Sequence, residues 1–346
     1  MKTGKRVIIM NDNVSAMPKF VIIGQTWGGF LPAAEAYGAV LNRDISSRPI
    51  LMNLMYYSMS RRWNRLPLPG CMGAFWHRIV FDAGNFHDDD DLYFIFCQNY
   101  TLSQSRPYLT YIRKKYRRAK LVFMFRDSVA GTQASMAGWW KQLEKYFDAG
   151  LTFNRPDAEK YGLLYTDYWP GLLPDKKFQP ENASDVFFIG VAKDRLPRIL
   201  SVYERLRGAG LKCDFWITEV PESEQKYSDV IHYNMPIPYD ETCQRAMNTK
   251  CVLEILPFGQ NYSSIRPLEI MTYRKKLLTT NLNAPSEWFY NPEIVQVFGE
   301  ASEIDTDFIA KPLSPEDEHR IFDGMNPGDF GRFADFIISN VRRKNS

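Results

Sequence analysis

Residues 252–281 read VLEILPFGQNYSSIRPLEIMTYRKKLLTTN, and this stretch is the most informative part of the sequence about the fold. The apolar run 251–255 predicts a buried strand, and the polar residues 256–264 predict a loop. A helix is expected from position 265, with Lys275 and Lys276 at its end, where cations suit the negative pole of the helix dipole. Residues 277–280 predict a second strand. Strand, loop, helix and strand form the repeating unit of a parallel sheet covered by helices.

Polar and charged side chains cluster in the loop and the first helical turn of this unit. Ligands of open α/β sheets bind beyond the carboxyl ends of the strands, and the start of a helix favours an anionic group. Arg266 can bind a phosphate and Glu269 can bind ribose hydroxyls, and they share a helix face because they lie three positions apart. Gln260, Ser263 and Ser264 would add neutral hydrogen bonds to phosphate or sugar hydroxyls. The alternative for Arg266 and Glu269 is a surface ion pair, which contributes little to stability.

Strands alternate with helices along the rest of the chain, which predicts an α/β fold of two Rossmann-like, doubly wound parallel-sheet domains. In the first domain we expect strands at 19–24, 91–97, 120–125 and 147–153. A helix is expected after the first of these strands, through Ala33, Ala34, Ala36 and Val40. In the second domain we expect strands at 186–190, 213–217, 230–233, 251–255, 277–280 and 295–298, and helices at 196–208, 239–248 and 330–343. The proline-containing stretch 168–184 is interpreted as the connection between a domain at 1–170 and a domain at 181–327.

Several further stretches resemble one family of proteins. Residues 147–163 read FDAGLTFNRPDAEKYGL, residues 185–195 read DVFFIGVAKDR, and residues 259–269 read GQNYSSIRPLE. Together they resemble bacterial glycosyltransferases of lipopolysaccharide and capsule synthesis, which have the two-domain GT-B architecture. The family's motif residues kept in this chain are Gly259, Gln260, Arg266 and Glu269. The chain departs from the family pattern at Tyr262 and Ser264, where Gly and Thr are favoured, and at Asn154, where Asp is usual.

The resemblance implies a metal-independent enzyme that moves a sugar from a nucleotide-diphosphate donor, preferably a UDP-sugar, to an acceptor. The donor would bind in the second domain, where Gly190, Lys193 and Arg195 follow the first strand. Lys193 and Arg195 would neutralise the charge that develops on the leaving diphosphate, and the alternative is a loop with solvated charges. The acceptor would enter from the first domain, and the last helix, at 328–346, would cross back to that domain. No other cofactor and no nucleic acid is expected.

The catalytic base is the least defined part of the expected site. An inverting displacement needs a base that faces the donor from the first domain, and Asp127 follows a predicted strand at its carboxyl end. The alternative for Asp127 is a helix cap or an ion pair with Arg126. His87 and Glu254 are further candidates, although a lone His is more often structural and Glu254 also ends a strand. Many retaining GT-B enzymes have a Glu eight positions before the ribose-binding Glu, and this chain has Asn261 there.

No metal site is predicted. The acidic run 88–91 precedes a strand instead of following one, which favours a solvated loop. The His residues, at positions 77, 87, 232 and 319, lack the spacing of a ligand set. The five Cys residues lack the paired CxxC spacing of a zinc site, and their odd number argues against a disulfide framework. These features fit a reducing cytoplasm.

The composition is that of a globular protein. Of the 346 residues, 45% are hydrophobic and 24% are charged, and the net charge of +3 is too small to indicate nucleic-acid binding. No signal peptide is evident, and no apolar run approaches the roughly 20 residues that span a membrane. Basic clusters at 61–65 and 113–118 would instead bring the first domain to the anionic inner face of the plasma membrane, where a lipid-linked acceptor lies. The alternative for both clusters is a solvated helix face.

The sequence therefore predicts a cytoplasmic GT-B glycosyltransferase that acts on a surface polysaccharide or a lipid-linked oligosaccharide. Two alternatives stay open. One is a non-catalytic module that binds a nucleotide or a glycan. The other is a polyol-phosphate transferase of the teichoic-acid type, which can share this fold.

Overall fold

Two parallel sheets form the framework of the protein. A computed structural model describes residues 18–24, 30–42, 86–87, 90–98, 106–125, 128–129, 135–167, 183–260, 262–323 and 329–342. Within them the chain forms two six-stranded sheets, one from each half of the sequence. The predicted α/β fold with two parallel sheets is thereby confirmed. The predicted connection lies mostly outside the described residues, and the domain boundaries stay a prediction.

The N-terminal sheet has the strand order β2-β1-β3-β4-β5-β6. Its strands are β1 (Lys19–Ile23), β2 (Val40–Asn42), β3 (Leu92–Cys97), β4 (Lys120–Met124), β5 (Ala149–Thr152) and β6 (Leu164–Tyr165). The helices between them are α1 (Phe30–Ala36), α2 (Arg106–Lys115), α3 (Ser135–Leu143) and α4 (Arg155–Tyr161). Every residue of β3 is buried, as expected of a strand in a parallel sheet that is covered on both faces.

The C-terminal sheet has the strand order β12-β11-β10-β7-β8-β9. Its strands are β7 (Ser184–Val191), β8 (Cys213–Thr218), β9 (His232–Tyr233), β10 (Thr249–Glu254), β11 (Lys276–Thr279) and β12 (Val295–Val297). The helices are α5 (Leu196–Gly208), α6 (Tyr239–Met247), α7 (Arg266–Tyr273), α8 (Thr306–Ala310), α9 (Pro315–Phe322) and α10 (Phe330–Asn340). Strands β7 and β10 are neighbours, so the loops that follow them lie side by side at the carboxyl edge of the sheet.

The helix predicted through Val40 is shorter than expected. It ends at Ala36, because Gly38 adopts a φ of +95° and turns the chain. Val40, a β-branched residue that suits a strand, then pairs with Val21 in the sheet. A single glycine thus converts the end of the predicted helix into an additional edge strand.

Lys276 does not lie at the end of the helix where the sequence placed it. Helix α7 ends at Tyr273, and Lys276 opens β11 as a buried residue. Its ammonium group donates to the carbonyl oxygen of Phe308 at 2.5 Å and to that of Lys311, both at the C-terminal end of α8. Burial lowers the pKa of Lys276. The cation therefore meets the negative pole of α8 instead of that of α7.

The last helix returns to the N-terminal sheet. The ring of Phe330 lies 5.7 Å from the rings of Phe20 in β1 and Phe30 in α1. Phe333 is fully buried, and its ring lies 5.8 Å from that of Phe30. Edge-on aromatic pairs of this kind stabilise a core beyond the effect of their buried area. Helix α10 thus packs the end of the chain against the first sheet.

Replacing Phe333 with Ala should lower the free energy of unfolding by about 3–5 kcal/mol, because the substitution leaves a cavity beside Phe30. Urea titration followed by tryptophan fluorescence measures this loss. Ser339→Ala, on the exposed side of the same helix, is the matched control and should change the stability by less than about 0.5 kcal/mol. Equal stability of the two variants would contradict the packing of α10 on the first sheet.

Candidate functional site

A cleft of about 940 Å³ opens at the carboxyl edges of the two sheets. The C-terminal half lines it with the loops after β7 and β10 and with the start of α7, and the N-terminal half lines it with residues after β4 and β5 and with α4. Ligands of open α/β sheets bind at such edges. The structure brings the predicted donor-site residues together in this cleft, along with Glu254: Gly190, Lys193, Arg195, Gln260, Ser263, Ser264, Arg266 and Glu269.

Arg266 and Glu269 form a buried ion pair on the first turn of α7. The Glu269 side chain is 0% exposed, and its Oε2 accepts a hydrogen bond from Nη1 of Arg266. Nη2 of Arg266 also donates to the carbonyl oxygen of Ile189 in β7, at 3.2 Å. Burial raises the pKa of Glu269, and the positive charge of Arg266 offsets part of this rise. The pair is therefore not a surface ion pair, and it connects α7 to β7.

The second carboxylate oxygen of Glu269 is unsatisfied. This atom, Oε1, is buried and receives no hydrogen bond from any described residue. A buried polar group without a partner costs about 1–3 kcal/mol, and more when it is charged. A hydroxyl group of a bound ligand would supply the missing donor.

Glu254 is fully hydrogen-bonded at the end of β10. Its Oε1 accepts from the N–H and the hydroxyl of Ser264, at 2.6 and 2.8 Å. Its Oε2 accepts from the hydroxyls of Ser263 and Thr279, at 3.1 and 2.6 Å. These four bonds fasten the loop after β10 to β11. The geometry therefore favours a structural role for Glu254 over that of a catalytic base.

The polar side chains of the same loop bond mainly to one another. A serine hydroxyl has a single proton, and those of Ser263 and Ser264 are donated to Glu254. The amide of Gln260 donates to the carbonyl oxygen of Tyr262 at 2.9 Å. These three side chains line the cleft, but in this arrangement the hydroxyl protons of both serines and one of the two amide protons of Gln260 serve the loop and not a ligand.

The start of α7 also offers few free backbone donors. Pro267 has no N–H, and the N–H groups of Leu268 and Glu269 both donate to the carbonyl oxygen of Ile265. Charge for an anionic ligand must therefore come mainly from side chains.

Arg195 is part of the wall of the cleft. Its guanidinium donates to the carbonyl oxygen of Val191, at 3.2 Å from Nε and 2.9 Å from Nη2, and to that of Ile255. A Cβ at Gly190 would lie 2.8 Å from Nη2 of Arg195, so the glycine leaves room for the guanidinium. Burial lowers the pKa of Arg195. Arg195 thus joins the carboxyl ends of β7 and β10.

Lys193, two residues earlier, is exposed to the cleft. Its backbone is in the left-handed region with a φ of 48°, and its ammonium group makes no ion pair with any residue that the structure describes. The carboxylate of the next residue, Asp194, accepts the N–H of Phe258 at 3.0 Å and ties the two loops together. Of the three cations predicted for the donor site, Lys193 is the one whose charge is available to a ligand.

The structure does not bring His87 to the cleft. It precedes β3, at the amino edge of the N-terminal sheet, where its backbone N–H donates to the carboxylate of Asp90 at 2.9 Å. Asp127 lies outside the described residues, although the adjacent Ser128 lines the cleft. Within the described ranges, no group of three or more His, Cys, Asp or Glu side chains is arranged to hold a metal ion.

A buried polar cluster on the N-terminal wall of the cleft was not predicted. Asp157 accepts from the N–H of Val129 at 2.6 Å and from the amide of Asn154 at 3.2 Å. The same amide donates to the hydroxyl of Ser128 at 3.2 Å. Oδ1 of Asn154 is buried and receives no hydrogen bond from the described part of the chain. The signal in the sequence is the polar run 154–157, which directly follows a predicted strand.

The basic cluster 113–118 is partly used by the fold. Nη1 of Arg113 lies 2.9 Å from the buried carboxylate of Asp148, and Nη2 donates to the carbonyl oxygen of Tyr146 at 2.9 Å. The other cluster, 61–65, lies outside the described residues. None of the helices in the described ranges combines the length and the apolar composition needed to traverse a bilayer.

Comparison with known proteins identifies the fold. No protein-family model matches the chain, and no curated protein matches it. OtsA in its apo form matches with a TM-score of 0.50 and 11% identity, over 95% of this chain and 100% of that one. An α,α-trehalose-phosphate synthase (UDP-forming) from Burkholderia vietnamiensis matches with a TM-score of 0.49 and 12% identity, over 94% and 99%. The glycotransferase of kitacinnamycin matches with a TM-score of 0.47 and 10% identity, over 94% of this chain and 99% of that one. The similarity to OtsA agrees with the two-domain GT-B fold predicted from the sequence.

Replacing Glu254 with Ala should lower the free energy of unfolding by about 3 kcal/mol, because the buried hydroxyl of Thr279 and three partly buried donors of Ser263 and Ser264 lose their acceptor. The comparison variant, Thr279→Val, removes one of the four bonds and also the bond that the Thr279 hydroxyl accepts from the N–H of Asn281, and should cost about 1–2 kcal/mol. Urea titration of both variants measures the difference. If Glu254→Ala were no less stable than Thr279→Val, the carboxylate would not be what holds the loop.

Proposed function

We propose that the protein is a glycosyltransferase that moves a sugar from a nucleotide-diphosphate donor to a saccharide acceptor. The observation that supports this most directly is the buried Glu269 carboxylate, which keeps one oxygen without a donor at the carboxyl edge of the second sheet. A ribose offers two adjacent hydroxyl groups that can donate to such an oxygen. The exposed cation Lys193 lies in the same cleft and suits a diphosphate.

In this proposal the donor binds to the C-terminal wall of the cleft. Glu269, oriented by Arg266, accepts the ribose hydroxyls, and Lys193 meets the diphosphate. Arg195 adds a fixed positive charge from within the wall. The bond between the anomeric carbon and the diphosphate oxygen breaks, and its electron pair leaves with the nucleoside diphosphate. Cations fixed beside that oxygen stabilise the developing charge, which is the basis for proposing transfer without a metal ion.

The acceptor enters along the N-terminal wall. Its hydroxyl oxygen forms the new bond to the anomeric carbon and gives its proton to a base. We assign this base to Asp127, because its neighbour Ser128 lines the cleft. Glu254 is assigned the positioning of the loop after β10, since both its oxygens are occupied. A closed cleft would exclude water, which would otherwise hydrolyse the donor.

We further propose a UDP-sugar as the donor and a growing surface polysaccharide or lipid-linked oligosaccharide as the acceptor, in lipopolysaccharide or capsule synthesis. The support is the resemblance carried by residues 147–163, 185–195 and 259–269. Contact of the basic clusters at 61–65 and 113–118 with the inner face of the membrane would bring the cleft to a lipid-linked acceptor.

A panel of donors separates this proposal from its two alternatives. UDP release from UDP-glucose, UDP-galactose or UDP-N-acetylglucosamine, stimulated by a glycan, would support glycosyl transfer. Turnover of CDP-glycerol instead would identify a polyol-phosphate transferase. Nucleotide binding without turnover of any donor would identify a binding module.

Glu269→Ala should weaken UDP binding about 10- to 100-fold, because a hydrogen bond to a charged group contributes about 1.5–3 kcal/mol. Isothermal titration with UDP and 2′,3′-dideoxy-UDP tests the assignment to ribose. The wild-type protein should bind the dideoxy nucleotide more weakly, whereas Glu269→Ala, which has no polar side-chain atom, should bind the two nucleotides equally. Removing either partner of one interaction removes the same free energy, so the two effects should not add.

The matched control for this cycle is Arg320→Ala. Arg320 forms an exposed ion pair with Glu293 outside the cleft, at 2.7 Å, and its loss should leave both affinities unchanged. Thermal melting confirms that each variant is folded. A wild-type protein that does not distinguish the two nucleotides would contradict ribose binding by Glu269.

Lys193→Gln should weaken UDP binding about tenfold, because it removes a cation from the diphosphate. Uridine, which lacks the diphosphate, should bind both proteins equally. Added salt should reduce the difference in UDP affinity between the wild type and the variant, since salt screens an exposed charge. Lys145→Gln, an exposed cation outside the cleft, serves as the control. An equal loss of affinity for uridine and for UDP in Lys193→Gln would show that Lys193 does not bind the diphosphate.

A further inference from the structure

Phe258 is the most exposed large apolar side chain among the described residues. Its side chain is 95% exposed, although it belongs to the wall of the cleft in the loop after β10. Neither the ribose site at Glu269 nor the cation at Lys193 gives this ring a role. A nearly bare aromatic ring at the edge of a ligand cleft is available for contact with whatever enters the cleft.

The backbone under this ring is fixed. The N–H of Gln260 donates to the carbonyl oxygen of Pro257 at 3.1 Å, and Gly259 between them has a φ of +77°. This is the arrangement of a type II turn, which requires a glycine at its third position. The N–H of Phe258 donates to the carboxylate of Asp194 at 3.0 Å. The ring is therefore presented by a rigid turn that is tied to the neighbouring loop.

The surroundings of Phe258 suit a saccharide better than a membrane or a protein. A membrane or a protein partner needs a contiguous apolar surface, whereas polar residues such as Lys193 and Gln260 line the same cleft as Phe258. Leu282, the other strongly exposed apolar residue after a neighbouring strand, is 73% exposed but does not line the cleft. Among the described residues that line the cleft, the strongly exposed apolar surface is thus the single ring of Phe258.

Further aromatic rings line the same cleft. Phe153 from the N-terminal half and Tyr262 from the C-terminal half have ring centroids 6.4 Å apart in an edge-on arrangement. One face of a pyranose presents C–H groups with small positive charges, and the face of an aromatic ring is negative. Aromatic rings with a few polar groups between them are the lining that binds such a ligand.

We infer that Phe258 is a stacking platform for a pyranose ring in the cleft and that it contributes to the choice of saccharide. This inference rests on the proposed function, because it assumes that the cleft holds sugars. The pyranose belongs either to the sugar nucleotide or to the acceptor glycan. Both present the same C–H face, and binding measurements with each ligand distinguish them.

The test compares Phe258→Ala and Phe258→Trp with the wild-type protein. The probes are UDP, the best-bound of UDP-glucose, UDP-galactose and UDP-N-acetylglucosamine, and an array of bacterial oligosaccharides. Phe258→Ala should bind UDP as the wild type does and should lose about tenfold in affinity for a pyranose-containing ligand, the effect of one aromatic stacking surface. A loss for the sugar nucleotide assigns the platform to the donor, and a loss for the oligosaccharide assigns it to the acceptor. Phe258→Trp, which keeps an aromatic ring at this position, should bind the same pyranose-containing ligand about as tightly as the wild type does.

The control variant is Leu282→Ala, which removes another strongly exposed apolar side chain, outside the cleft, and should change no affinity. Saccharide affinities that are unchanged in Phe258→Ala while UDP still binds would overturn the inference and leave the proposed function intact. A wild-type protein that fails to bind UDP would instead contradict the proposed function. Loss of binding to phosphatidylglycerol vesicles in Phe258→Ala, with saccharide binding unchanged, would assign the ring to a membrane surface and also overturn the inference.

Discussion

A charged carboxylate buried at the carboxyl edge of the second sheet is the constraint on which the site depends. Burying a charge is costly unless it is paired, and Glu269 is paired with Arg266 inside the same helical turn. Arg266 is anchored in turn to the carbonyl oxygen of Ile189 in β7. The pair leaves Oε1 of Glu269 unsatisfied, so the fold retains a buried acceptor that a ligand hydroxyl can complete. Fold stability and ligand binding are therefore coupled at this residue.

The groups around this pair fall into two sets. Glu254 and Arg195 are bonded to the loop and to the strand ends, and they hold the wall of the cleft in place. Lys193 and Oε1 of Glu269 are not needed by the rest of the described structure. Polar groups that the fold leaves unused at the edge of a parallel sheet are the ones expected to bind a ligand. This division explains why residues of similar type in one loop have different roles.

Much of the fold was predictable because it depends on local patterns. Apolar runs located the buried strands, and the helix at 196–208 has the predicted bounds. The residues predicted for the donor site lie together in one cleft because the carboxyl ends of parallel strands share one edge. The predicted helix end near Val40 was wrong because the conformation of a single glycine, Gly38, outweighed the helical pattern.

The hydrogen-bond partners within the site were not predictable in the same way. Glu254 bonds to Thr279 on the adjacent strand, and Asn154 bonds to Ser128 from another loop. Such pairs are far apart in the sequence, and no local pattern specifies which donor meets which acceptor. The same limit applies to Lys276, whose ammonium group bonds to a helix end more than 30 residues away. The sequence indicated which residues line the cleft but not which of them the fold uses itself.

A crystal structure of the protein with bound UDP would show directly whether Glu269 binds the ribose. We expect a ribose hydroxyl within about 3 Å of Oε1 of Glu269, with the diphosphate beside Lys193. A nucleotide bound elsewhere, or a ribose that leaves Oε1 of Glu269 without a partner, would contradict this expectation.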